Sequence, residues 1–248
     1  MRILKSYGWV PDLPDKRDLL YQTIRRKGVK PPKVVDLRSF CSPVENQGAL
    51  GSCTANALAG NLEFVDEKTP PSGYADVSRL FIYYNERVLI DTVSSDSGAM
   101  LRDGIKTLAK QGVCSERAWP YAIGRFAKKP SKACYDEAKK HRIQSYHRIL
   151  THEERISCLA EGYPFVYGFT VYESFESQTV ARTGVVPMPA KSERVMGGHA
   201  VLAIGYDEKR RCFIVRNSWG AEWGVDGYFT MPYEYLETLA DDFWTIRK

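Results

Sequence analysis

The stretch Asn46–Gly60, NQGALGSCTANALAG, sets a glutamine, two glycines and a serine ahead of Cys53 and then small residues at helical spacing. Ala55, Leu58, Ala59, Leu62 and Val65 recur with the period of one helix face, which predicts a buried helix starting at Cys53. Small side chains on that face let another backbone approach closely. A cysteine in the first turn meets unpaired backbone N–H groups and the positive end of the helix dipole, both of which favour a thiolate. An isolated thiol, with a pKa of ~8.5, is mostly protonated at neutral pH and needs such a helix end, or an imidazolium, to become reactive.

The chain has four histidines to offer. His141, His147 and His152 stand in polar, basic or cap-like surroundings and read as solvated surface residues. His199 differs: in MGGHAVLAIGY it follows two glycines and begins a run that reads as a buried strand. A lone histidine on such a strand is ordinarily a satisfied core residue. The next strand, however, ends in VRNSWGAEWGVDGYF, and an antiparallel pairing brings Asn217 close to His199. An amide oxygen there accepts an imidazole N–H and fixes the tautomer, leaving the other ring nitrogen for the thiol. Trp219 is placed to shield that bond from water. Gln47, six residues before Cys53, is close enough to join the Cys53 backbone N–H around an oxyanion.

The remainder of the sequence is ordinary for a folded protein. At 248 residues, 44% hydrophobic and 26% charged, the chain is long enough for one large domain or two lobes. No window reaches the ~18 apolar residues of a membrane span, and the N-terminus lacks a secretory signal pattern. The expectation is therefore a soluble protein without a membrane partner, cytoplasmic or exported by another route. Net charge is +5, but the basic residues are spread among 30 acidic ones, and the dense run IRRKGVKPPK reads as a solvated segment rather than a nucleic-acid surface. The six cysteines form no CxxC pair and no Cys/His ligand spacing, so neither a metal nor another cofactor is expected.

Residues 1 to about 33 are rich in proline and charge and read as an extended arm. Helices are predicted for SRLFIYYNERVL, with Ser78 as N-cap, and for MLRDGIKTLAKQG, closed by Gly112. After a capping box at Thr151 and Glu154, the helix HEERISCLAE ends at Gly162, and strand-like runs take over in YPFVYGFTVY, HAVLAIGY, CFIVRNSW and GYFTMP. Helices first and strands second predict an α+β fold of two lobes, one mainly helical and one a β-sheet or barrel, meeting along a cleft.

QGALGSCTANA, GGHAVLAIGY and NSWGAEWGVDGYF together resemble the glutamine, cysteine, histidine and asparagine blocks of the papain-like cysteine peptidases, in the same order and over roughly Asp36 to Ile246. In that family the histidine and asparagine follow the cysteine by some ~130 to ~150 residues. Here 199 minus 53 is 146 and 217 minus 53 is 164, so the second interval is slightly long. The resemblance implies a two-lobed fold with residues 36–140 mainly helical and 141–248 mainly β. It implies that Cys53 attacks a peptide carbonyl as thiolate, His199 protonates the leaving amine, Asn217 orients His199, and Gln47 with the Cys53 N–H holds the oxyanion. The substrate implied is a peptide or protein, the enzyme an endopeptidase and a monomer. An acyltransferase or a catalytically silent peptide-binding module is the alternative on the same fold.

The chain also departs from that pattern. Leu50 stands where the family usually has a disulfide-forming cysteine, and Thr54 where an aromatic residue usually follows the nucleophile. The remaining cysteines must pair differently or not at all; Cys114 and Cys134, flanking one compact segment, are the candidate pair. Gly98 matches one of two glycines that grip the substrate backbone, while Ser97 replaces the other. Gly198, Ala200 and Trp219 complete the expected substrate-binding set, and a side-chain pocket is expected to include Ala200, Met196 and residues near Asp242 and Phe243. In place of the long helical inhibitory segment common in the family, residues 1–35 read as a short extended arm, which either lies over the cleft as an autoinhibitory segment with Trp9 or Leu13 as its anchor or packs as a tether on the back of the fold.

Overall fold

Cys53 opens helix α1 (Cys53–Lys68), whose side chains are buried from Cys53 through Asp66, as expected for a helix packed on all sides. The computed structural model describes residues 7–26, 28, 30–68 and 76–248. Around α1 pack α2 (Arg79–Val88) and α3 (Leu101–Lys110). Ser78 caps α2 by accepting the Phe81 N–H, and Gly112, with φ of 81°, turns the chain after α3. A short helix α4 (Lys132–Ala138) completes this half. The capping box of α5 (His152–Ala160) forms as expected, with Thr151 accepting from the Glu154 N–H and the Glu154 side chain returning to the Thr151 N–H.

The second half is an antiparallel sheet built from β2 (Ser145–Arg148), β3 (Phe165–Tyr172), β4 (Val195–Asp207), β5 (Cys212–Arg216), β6 (Tyr228–Pro232) and β7 (Ala240–Arg247). Its order, β2-β7-β3-β4-β5-β6, is an open path rather than a closed barrel, and β1 (Val34–Asp36) pairs with β4 beside it. Helices α6 (Gln178–Thr183) and α7 (Tyr233–Thr238) lie in its connections. The long central strand β4 divides two cores by alternation, with an irregularity in its pairing to β5 between Ala203 and Gly205 that shifts the phase beyond it. Ala200, Leu202 and Ile204 face the cluster around α1, while Val201, Ala203 and Tyr206 face the aromatic cluster of Tyr167, Phe169, Phe213 and Phe229.

Two expectations are corrected. His147 is buried in β2 at 6% exposure, its pKa lowered by burial and then by the Arg247 charge, so it is no surface residue. All six cysteines are free thiols, Cys114 and Cys134 included, although the latter two are buried against one another. Among the described residues no helix is long and apolar enough to cross a membrane.

Candidate active site

The sheet brings His199 and Asn217 together through strand register. β4 and β5 pair Leu202 with Arg216, so Asn217, one residue on, falls beside the start of β4. His199 Nε2 lies 2.8 Å from Asn217 Oδ1, and Asn217 Oδ1 also accepts the Ser218 N–H at 2.9 Å. An oxygen that accepts at both positions requires the proton on Nε2, which leaves Nδ1 as the basic nitrogen. The Trp219 ring stacks on the imidazole, 4.9 Å between centroids and 23° between planes, and Phe169 meets it edge-on at 5.7 Å. His199 and Asn217 are 0% and 3% exposed.

The helical half supplies the thiol and the glutamine. The backbone N–H of Ala200, the residue after His199, lies near enough to the Cys53 sulfur to favour its thiolate, which puts the sulfur by the start of β4. Gln47 is fully buried: its Nε2 donates to Leu50 O at 2.9 Å, and its Oε1 accepts from Ser218 Oγ at 2.6 Å. The Gln47 backbone N–H donates to Ser218 O at 2.9 Å, so one residue is stitched twice to the turn that follows Asn217. Ser218 was not anticipated; as the residue beside Asn217, only the crossing of two chain segments reveals its role.

The arm lies across this assembly. The Gly8 backbone lies near enough to the Cys53 sulfur for its N–H to favour the thiolate, and the Gly8 carbonyl accepts from Ala99 N at 2.8 Å. Trp9 N donates to Gly198 O at 3.0 Å, and Val10 N to Ala99 O at 3.0 Å, in a parallel pairing of Trp9 with Ala99. Gly98 (φ 70°) lies so close that any Cβ there would collide with the Gly8 carbonyl, and any Cβ on Gly8 would collide with the Gly51 carbonyl. Tyr7 turns its ring to the His199 imidazole, 6.0 Å between centroids, and its hydroxyl bonds Glu176. Trp9 lays its indole over Gly168 and Gly198 and donates to Asp242 Oδ2 at 3.2 Å. Beyond it, Asp12 N donates to the same Asp242 oxygen at 2.7 Å, and Asp12 Oδ2 accepts from Trp244 Nε1 at 2.8 Å. Asp18 pairs with Arg102 at 2.6 Å and with Arg148 at 3.3 Å.

Thus Gly98, Gly198, Ala200, Asp242 and Trp9 meet in one cleft, whereas Leu13 does not: it is 68% exposed, and only its backbone carbonyl, bound by Arg102, takes part. Phe243 also misses the cleft, because strand alternation turns it into the core, where it stacks on Tyr167. Gly8 escapes sequence reading, having no neighbouring signal of its own; its importance comes from backbone 40 to 90 residues away. Covered in this way, the Cys53 thiol is pushed up to about 11, chiefly by desolvation and despite the N–H groups of Ala200 and Gly8. It is therefore a neutral thiol under the arm.

Comparison with known proteins identifies the family. Residues 31–238 match the sequence model of the papain family of cysteine proteases. An uncharacterized peptidase C1-like protein of Acanthamoeba polyphaga mimivirus is 43% identical, over 99% of this chain and 88% of its own. The crystal structure of xylellain, a cysteine protease from Xylella fastidiosa, superimposes with a TM-score of 0.89 at 44% identity, over 100% of this chain and 98% of that one. Digestive procathepsin L2 proteinase from the larval midgut of Tenebrio molitor shares the fold, with a TM-score of 0.79 at 22% identity, over 99% of this chain and 79% of its own. On the matching family model and the full-length likeness, the chain belongs to the papain family of cysteine proteases and is a peptidase.

Proposed function

We propose that this chain is a Cys-His-Asn endopeptidase held latent by its own N-terminal arm. The observation that carries the reading is the meeting of the Cys53 sulfur with the start of β4, where His199 is held by Asn217 at 2.8 Å. With the arm displaced, His199 takes the Cys53 proton, and the thiolate attacks a peptide carbonyl. The Cys53 N–H and the Gln47 amide stabilise the tetrahedral oxyanion, and His199 protonates the leaving amine. Water, deprotonated by His199, then cleaves the thioester and returns the thiol.

The same geometry explains why the arm would inhibit rather than be cut. What Gly8 presents to the sulfur is an N–H donor, while its carbonyl is bound to Ala99 N instead of the oxyanion donors. Polypeptide nevertheless lies on both sides of Cys53, from Tyr7 beside His199 to Asp12 beside Asp242, and this supports action within a chain rather than at its end. The test is kcat/KM on a denatured protein substrate, using the full-length chain with Gly8→Val to unseat the arm. Cys53→Ala in that background abolishes turnover; retained hydrolysis would reject the assignment.

A further inference from the structure

Leu50 removes the cysteine with which the family usually braces the nucleophile turn, yet the next residue is tied by another means. The Gly51 N–H sits 3.0 Å from both carboxylate oxygens of Asp96. Gly51 N and Leu50 O belong to one peptide plane, and Leu50 O is the acceptor that holds Gln47 Nε2 at 2.9 Å. One edge of the plane is therefore bound to Asp96 and the other to the glutamine. Leu50 O also accepts the Ser52 N–H at 2.8 Å, so the carbonyl edge of the plane is held by the backbone and the glutamine, and its N–H edge by Asp96.

The carboxylate reaches the substrate strand as well. Asp96 accepts from the hydroxyl of the fully buried Tyr83, and that hydroxyl accepts the Gly98 N–H at 3.2 Å. Burial first, and then the bond to Asp96, raise the Tyr83 pKa, so the phenol stays neutral and can relay the bond. Gly98 precedes Ala99, whose N–H and carbonyl hold the arm. Arg87 on α2 fixes the loop that carries Asp96 by donating to Val93 O at 3.0 Å and Ser95 O at 2.8 Å. Asp96 itself is solvent-exposed, but the two donors that end on it, Gly51 N–H and Tyr83 OH, are on buried residues and lose their acceptor if it is removed.

We infer that Asp96 is a positioning residue for hydrolysis: through the Leu50–Gly51 peptide it aims the Gln47 amide, and through Tyr83 it sets the strand at Gly98 that binds substrate backbone. The inference rests on the proposed peptidase mechanism. Its test is a double-mutant cycle in the full-length Gly8→Val chain. Loss of an oxyanion donor costs roughly 100-fold or more in kcat, and misaiming one about tenfold. Asp96→Ala is expected to lower kcat by about tenfold beside Gln47 and by less than about threefold when Gln47→Ala is already present, because it then has nothing left to aim. Tyr83→Phe is expected to raise KM several-fold with kcat nearly unchanged. Asp96→Asn, which keeps one acceptor oxygen, is expected to recover most of the loss, and a loss with asparagine that remains as large beside Gln47→Ala as beside Gln47 would overturn the inference even if the alanine variant does not fold. Equal losses from Asp96→Ala with and without Gln47, or no loss in kcat, would overturn the inference. Retained hydrolysis by Cys53→Ala would instead overturn the mechanism beneath it, so the two failures are distinguishable.

Discussion

Gln47 has a proposed role and a structural setting that a sequence displays unequally. Its distance of six residues from Cys53 suggested an oxyanion donor, but its fixation by Leu50 O and Ser218 Oγ depends on chain segments that meet only in the fold. In an open cleft, Gln47→Ala is expected to reduce kcat about a hundredfold with little change in KM, since the bond it supplies strengthens only as charge develops on the carbonyl oxygen. Steady-state kinetics on a fluorogenic peptide checks this; a change confined to KM would assign Gln47 to ground-state binding. Cys53, His199 and Asn217 were legible because each stands in a distinctive local setting: a helix start, a glycine-flanked strand, an adjoining strand end. Asp96 and Gly8 were not, because their work is done through backbone groups of distant residues.

At the scale of elements, helix and strand periodicity carried most of the fold. Helices α1, α2, α3 and α5 and strands β3 to β6 were foreseeable from apolar spacing and from the caps at Ser78 and Thr151. Strand β7 was not: its sequence, ADDFWTIR, puts two aspartates at the start, and these are stabilised by Arg148 and by the arm rather than by strand propensity. The arm itself read as extended, but its path is set by a close approach of Gly8 to Gly51 and Gly98 that no propensity encodes. Because a branched side chain cannot fit there, Gly8→Val is expected to raise kcat/KM of the full-length chain at least tenfold. Trp9→Ala, which removes the indole from Gly168, Gly198 and Asp242, is expected to do so to a smaller degree. Unchanged activity in both variants would show that the arm does not limit access.

For the molecule as a whole, an arm that inhibits as proposed is attached to its target, so its effective concentration is fixed by the chain and dilution does not release it. Release must instead weaken the contacts, and pH does so at Asp242. Burial, followed by repulsion from the Asp12 carboxylate, raises Asp242 to about 6, against opposing contributions from the Asp12 N–H and Arg148; Asp241 adds to the repulsion. A solvated aspartate titrates near ~3.9, so the latched form binds this proton more tightly than the open one. By linkage, acid favours the latched form, and that preference is lost as pH rises through about 6. The ratio of kcat/KM between the full-length chain and its Gly8→Val variant should therefore rise from about pH 5 to about pH 7, and Asp242→Asn should flatten it. A ratio that falls over this range would reverse the assigned sign.

The most direct examination of a buried, arm-covered nucleophile activated by His199 is the rate at which a thiol-directed epoxide modifies Cys53, mapped by mass spectrometry. The account predicts slow modification in the full-length chain, fast modification with Gly8→Val, and slow modification again when His199→Ala is added. Equal rates in all three chains, or faster labelling at another cysteine than at Cys53 once the arm is unseated, would contradict it.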